Sequence, residues 1–294
     1  MTGRFGSVVT AMVTPFRDDF SLDLEGGQAL ATYLLDNGSD TVLVAGSTGE
    51  GPTVSHEEKD RLLRAVVEAA GGRGKVWCNT GTYNTAESVE LTRQAEKAGA
   101  DAALVVAPYY NKPPQRGLIA HFTKVAESTD LPVILYNIPG RTATLIEADT
   151  LLRLADVDNI VGVKDSTGDF QTAGRIITET PDDFDLYSGD DWATFPLVCM
   201  GAAGIVSVAS HLVGREIKEM VELATSGDVT SAWKIHARLL PLFKGLFITS
   251  NPIPVKAALE IAGRPVGPPR LPLVEATPEE RTKIEQSMRE AGVV

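Results

Sequence analysis

Short runs of apolar, largely β-branched residues alternate along the chain with longer segments of helical period. The runs Ser7–Thr14, Thr41–Ala45, Val76–Thr80, Ala102–Ala107, Val133–Asn137, Ile160–Lys164, Asp185–Ser188 and Gly204–Val208 read as strands. They are nearly continuous in apolar character, the pattern of strands covered on both faces. The segments between them read as helices. Ser55-His-Glu-Glu58 forms a capping box, in which Ser55 caps the backbone and Glu58 reaches back. Thr85 opens another helix that ends at Ala98 and Gly99.

Eight strands alternating with helices imply parallel βα units. A closed barrel and an open doubly wound sheet both satisfy that pattern. Eight units within about 225 residues favour an α/β fold of the (β/α)8 TIM-barrel type. The barrel is expected over residues 1–227, and residues 228–294 read as a C-terminal helical domain. That domain has helices near 230–247 and 254–262, and a last one opened by the capping box Thr277-Pro278-Glu279-Glu280. Residues 265–272 form a Pro-rich link. Residues 192–214 carry no charged side chain and match a bilayer in length. Pro196, Gly201, Gly204 and His211 argue instead for a short apolar helix followed by a Val-rich strand.

Composition narrows the class. The 294 residues are 43% hydrophobic and 22% charged, an ordinary globular profile. The net charge of −12 repels phosphate backbones and anionic headgroups, which weighs against nucleic-acid and membrane-surface roles. Cys78 and Cys199 are far apart in apolar surroundings and read as two buried, reduced thiols of a cytoplasmic protein. The four histidines show no metal-ligand spacing, so neither a metal nor another cofactor is expected.

In such a barrel the chemistry sits where strands end and loops begin. Lys164 closes the run Ile-Val-Gly-Val and should point inward. A desolvated lysine loses its proton more easily, and a neutral amine forms Schiff bases with ketones. An ion pair with Asp165 at the rim is an equally good reading from position alone. Tyr136 ends the neighbouring strand, where a phenol can carry protons or simply pack. Tyr109 and Tyr110 are adjacent, so one can face the site while the other meets an interface. Gly46-Ser47-Thr48-Gly49 suits an anion cradle of backbone N–H groups and hydroxyls. It is not a dinucleotide loop, because Gly51-Pro52 separates it from the helix cap at Ser55. Arg141 is a fixed cation near the mouth, shaped for a carboxylate or a surface ion pair.

The motifs GSTGEG, PYYNKPPQRGL, LYNIPGRT, VKDSTGD, YSGDD and NPIPVKAAL follow one another in the order and spacing of the dihydrodipicolinate synthase family. The chain resembles that family over essentially its whole length. The family belongs to the pyruvate-dependent class I aldolases, which include N-acetylneuraminate lyase. The resemblance implies 4-hydroxy-tetrahydrodipicolinate synthase activity in lysine and diaminopimelate biosynthesis, with pyruvate and aspartate semialdehyde as substrates, and a homotetramer. It makes Lys164 the Schiff-base lysine and Tyr136 its proton relay. Ser47 and Tyr110 match the other relay members, Tyr110 coming from a neighbouring subunit. Thr48 matches the residue that binds the pyruvate carboxylate, and Arg141 the one that receives the semialdehyde carboxylate. Gly189 and Val206 match positions near pyruvate.

Two departures stand out. The family usually has Thr at the position of Ser47, and GST is also the form of neuraminate lyases. That leaves another pyruvate-dependent aldolase, acting on a sugar acid, as the alternative reading. A catalytically silent barrel is a further one, against which the retained Lys164, Tyr136, Tyr110 and Thr48 speak. Gly51, Lys59 and Tyr83 stand where lysine-inhibited members carry Ser, His and Asn, although His56, Glu87 and Tyr109 are compatible with them. Weak or absent lysine inhibition is expected.

Overall fold

The computed structural model describes residues 3–294. Eight parallel strands close into one barrel. They are β1 (Val8–Ala11), β2 (Thr41–Val44), β3 (Lys75–Asn79), β4 (Ala102–Val106), β5 (Val133–Asn137), β6 (Ile160–Asp165), β7 (Asp185–Ser188) and β8 (Gly204–Ser207). Each pairs with its sequence neighbour, and β8 returns to β1 in the register Val9 with Val206. The run expected over Ser7–Thr14 is a shorter strand. Beyond Ala11 the Val13 N–H leaves the sheet and donates to His211 Nε2 at 3.1 Å.

The helices between the strands are α1 (Leu24–Asp36), α2 (His56–Ala70), α3 (Thr85–Lys97), α4 (Gln115–Ala126), α5 (Pro139–Thr142), α6 (Ala148–Leu154), α7 (Phe170–Glu179), α8 (Thr194–Met200) and α9 (Ser210–Ser226). Both expected capping boxes form, at Ser55 with Glu58 and at Thr277 with Glu280. Thr85 is the first residue of α3, and the Asn84 side chain supplies its cap. The uncharged stretch 192–214 resolves into α8, β8 and the start of α9. No helix among the described residues is long and apolar enough to cross a membrane.

The C-terminal part is helical: α10 (Val229–Gly245), α11 (Ile253–Ile261) and α12 (Pro278–Glu290). These helices bury Leu239, Leu242, Leu259, Ile284 and Met288. Their segment also reaches the open end of the barrel.

One irregularity decides the direction of the central lysine. Strand β6 is out of step with β5 near its start: Val133 pairs with Ile160, but Ile134 already pairs with Gly162. The extra residue resets the in–out alternation, as a bulge does. Val161 then faces the barrel interior and Val163 the outer helices, and Lys164 turns inward again toward Tyr136. A Cβ at position 162 would stand 2.4 Å from the Asp185 carbonyl oxygen, so only glycine allows this approach.

The fold corrects the reading of the thiols. Cys78 is buried, and burial pushes it up to about 12, but Cys199 near the end of α8 is exposed.

Candidate active site

The carboxyl ends of the strands surround a cavity of about 350 Å³, lined among others by Ser47, Lys59, Tyr109, Arg141, Thr142 and Asn251. In the barrel interior Lys164 and Tyr136 lie almost fully covered at 5% and 4% exposure. They are direct partners across β5 and β6. The Lys164 Nζ stands 4.1 Å from the centroid of the Tyr136 ring. No Lys164–Asp165 ion pair forms. The Asp165 carboxylate instead accepts from Asn137 Nδ2 at 3.3 Å and from the Thr167 hydroxyl at 2.6 Å.

The β2 loop is held tightly. Ala45 and Glu50 both adopt positive φ, 55° and 52°. The Glu50 and Gly51 N–H groups close the turn on the Ser47 and Gly46 carbonyls at 3.2 and 3.0 Å. The Thr14 hydroxyl donates to the Gly49 carbonyl at 2.6 Å. A Cβ at position 51 would stand 2.3 Å from the Ala45 oxygen, so a side chain there would force the turn to shift. The result is a tightly turned loop that brings Ser47 to the cavity and keeps Thr48 buried beside it, the kind of backbone turn that suits a small anion.

Asn251, just before α11, links two of the expected binding residues. Its side-chain amide donates to Thr48 Oγ1 at 2.8 Å, and its carbonyl accepts from Arg141 Nη2 at 3.3 Å. Arg141 itself lies on the one-turn helix α5, which follows β5 directly. The cation therefore enters the mouth on a short, rigid element.

Gly189 follows β7, and its N–H donates to the Asp165 carbonyl at 2.7 Å. Val206 on β8 is fully buried in the interior layer that includes Tyr136. Beside Gly189, the Asp190 carboxyl is pushed up by burial, and Lys164 and Arg141 work against that shift. Asp191 is fully buried. It accepts from Ser207 Oγ at 2.5 Å and from the Val208 and Ala209 N–H groups at 3.2 and 3.1 Å, which ties the ends of β7 and β8 together.

Tyr110 alone stands apart from this assembly. It is 91% exposed, at a positive φ of 71°, while Tyr109 lines the cavity and packs edge-to-face on Tyr83 at 5.2 Å. Among the described residues no three His, Cys, Asp or Glu side chains group to hold a metal ion. Sequence reasoning missed Asn251: NPIPVKAAL flags its segment, but only the fold brings it to the barrel mouth.

The chain matches the family model described as the dihydrodipicolinate synthetase family over residues 4–291. It is 53% identical over its whole length, and over the whole of the relative, to the 4-hydroxy-tetrahydrodipicolinate synthase of Desulforudis audaxviator. Among solved structures, the lysine-bound dihydrodipicolinate synthase of Cyanidioschyzon merolae superposes with a TM-score of 0.98, at 44% identity and full coverage of both chains. A dihydrodipicolinate synthase variant described as monomeric superposes with a TM-score of 0.95, at 40% identity, covering 98% of this chain and 97% of that one. With an eight-stranded barrel, an inward lysine above a tyrosine ring and these full-length likenesses, the chain belongs to the dihydrodipicolinate synthetase family.

Proposed function

We propose that the chain condenses pyruvate with L-aspartate 4-semialdehyde to 4-hydroxy-tetrahydrodipicolinate, through a Schiff base on Lys164. The observation that carries this reading is the Lys164 amine, 5% exposed and held against the Tyr136 ring at the barrel mouth. The names of the relatives support the choice of substrates. In this reading the Lys164 nitrogen adds to the pyruvate ketone. Tyr136 delivers the proton that lets the carbinolamine lose water. The resulting iminium draws electrons from the methyl group, which loses a proton to give an enamine. The enamine carbon attacks the aldehyde, whose oxygen becomes the product hydroxyl. The semialdehyde's own amine then attacks the iminium carbon, closes the ring and releases Lys164.

The two carboxylates have separate receivers. Thr48, with the N–H groups of its turn, takes that of pyruvate, and Arg141 takes that of the semialdehyde. Ser47 relays protons with Tyr136, and Gly189 and Val206 shape the floor. Tyr110 serves the site of an adjoining subunit, and we infer a homotetramer built as a dimer of dimers. The 91% exposure of Tyr110 supports that assignment, since a phenol so exposed in one chain is free to enter another. Ser47 favours a second reading, a pyruvate-dependent aldolase for a sugar acid. Arg141 speaks against it, because a sugar-binding site needs hydroxyl partners more than a second cation.

A coupled assay tests the proposal, with pyruvate, aspartate semialdehyde, excess dihydrodipicolinate reductase and NADPH. NADPH oxidation that disappears in Lys164→Ala is the expected result. No oxidation, with pyruvate still trapped on the protein by borohydride, would mean that the aldehyde partner is wrong.

A further inference from the structure

The turn that carries Ser47 and Thr48 is gripped from outside the barrel by charges that the reaction does not use. Glu50, two residues after Thr48, has a side chain with no exposed surface. Its Oε1 meets Lys256 Nζ of α11 at 2.6 Å, and that lysine is itself only 4% exposed. Its Oε2 accepts the Arg270 backbone N–H at 2.8 Å. Lys256 also donates to the Pro268 carbonyl at 3.2 Å and stands 4.5 Å from the centroid of the Phe16 ring. Arg270 lies 4.1 Å from that centroid and binds Glu58 with both terminal nitrogens, at 2.9 and 2.6 Å. Its Nη1 further donates to the Thr53 carbonyl at 3.0 Å.

We propose that Glu50, Lys256 and Arg270 are positioning residues for the pyruvate carboxylate. In this view the C-terminal segment sets the geometry of the Thr48 turn through a buried charge clamp. The inference rests on the reading that Thr48 receives that carboxylate.

Three physical points carry it. Glu50 holds a positive φ of 52°, which a non-glycine residue keeps only when its surroundings impose it. A buried ion pair is a poor source of stability compared with apolar packing, but it is costly to break and fixes one arrangement. Finally, the same short segment grips the turn twice: Asn251 holds the Thr48 hydroxyl and Lys256 holds the Glu50 carboxylate. A displacement of α11 therefore moves both ends of the Thr48–Glu50 step. Burial lowers the Lys256 pKa and the Glu50 carboxylate opposes that shift, as a functioning ion pair requires.

Glu50→Asp tests the clamp. Aspartate keeps the charge and tolerates a positive φ, but it is one carbon–carbon bond too short to meet Lys256 and Arg270 together. The expected result is a folded enzyme whose KM for pyruvate rises about tenfold, the scale of one charge-assisted contact. The KM for the semialdehyde should stay within about twofold, well below that scale. The double variant Glu50→Gln with Lys256→Met removes both charges, leaves no buried ion unpaired and should show the same selective rise. It keeps the test open if Glu50→Asp fails to fold. Unchanged pyruvate KM in the folded variants, or an equal rise for both substrates, would overturn the clamp and leave a purely structural ion pair. Borohydride trapping separates the two levels. Wild type that traps pyruvate while the variants keep their pyruvate KM sinks the clamp alone. Wild type that traps none sinks the Schiff-base reading and the clamp with it.

Discussion

The side-chain nitrogen of Lys164 stands 4.1 Å from the centroid of the Tyr136 ring, and the two residues are register partners on adjacent strands. The strands fix this pair, not a loop, so it keeps its geometry when either side chain is trimmed. Tyr136→Phe should retain the ring and lose only the proton relay. The expected outcome is a kcat lower by about 100-fold or more, with a nearly unchanged KM for pyruvate. Lys164→Ala should abolish the borohydride-trapped adduct altogether. Steady-state kinetics and intact-protein mass spectrometry check the two variants. A Tyr136→Phe enzyme with normal turnover would remove the phenol from the mechanism.

Arg141 is the other charged group whose position follows from the backbone. It sits on a single helical turn, with its guanidinium bonded to the Asn251 carbonyl. If it receives the semialdehyde carboxylate, Arg141→Ala should raise that substrate's KM by roughly 10- to 100-fold, the worth of one or two hydrogen bonds to a charge. Pyruvate trapping on Lys164 should persist. Equal weakening of both substrates would place Arg141 in general site architecture instead of in recognition of one carboxylate.

The sequence made the barrel legible because its strands are largely buried on both faces, so most are nearly continuous apolar runs such as Ala102–Val106. Lys164 was legible as the one charge closing such a run. Its inward direction was expected and holds, but the device that secures it was not legible, because simple alternation cannot register the bulge at Gly162 that resets the pleat. Asn251 and Lys256 were illegible for a different reason. They lie beyond the barrel on a segment with no strand end to mark them, and their partners Thr48 and Glu50 are some 200 residues away in the chain. Cys199 was misjudged because apolar sequence neighbours do not ensure burial on a short surface helix.

Lysine should inhibit this enzyme weakly or not at all. The Lys59 side chain lines the edge of the cavity, where burial lowers its pKa while Glu87 opposes the shift. Glu87, the carboxylate that could meet an incoming ammonium, already lies 3.0 Å from His56 Nε2. Tyr83 is committed to its edge-to-face contact with Tyr109. A second cation entering here meets Lys59 without a free carboxylate to offset it. Initial rates at millimolar lysine should match those without it, and a substantial drop in activity would overturn this expectation.

The role proposed for Tyr110 makes activity depend on assembly. If its phenol works in an adjoining subunit, Tyr110→Phe should lower kcat without changing the sedimentation of the protein. Tyr110→Arg should weaken the assembly and lower activity in a concentration-dependent way. Analytical ultracentrifugation alongside kinetics reads both. A fully active monomer, with wild-type turnover at nanomolar protein, would remove Tyr110 from the site and leave the catalytic machinery to one chain.

Acid sensitivity should arise first from a histidine outside the chemistry. His211 is fully buried and bridges the ends of β1 and β8: its Nε2 accepts the Val13 N–H at 3.1 Å and its Nδ1 lies 2.8 Å from the Val208 carbonyl. The first contact requires a lone pair on Nε2 and the second a proton on Nδ1, so only the neutral Nδ1–H tautomer satisfies both. Burial pushes its pKa from 6.5 down to about 4. The unfolded chain therefore binds this proton more readily than the folded one. The stability linked to it is complete above about pH 6.5 and is lost as the pH falls toward about 4, amounting to about 3 kcal/mol at most. His211→Gln offers an uncharged side chain of similar reach. It should be less stable than wild type at pH 7.5 but lose less stability between pH 6.5 and 4. Thermal melts across that range distinguish the two slopes. Equal slopes would mean that the acid response comes from other groups, such as His121, which burial also holds at about 4.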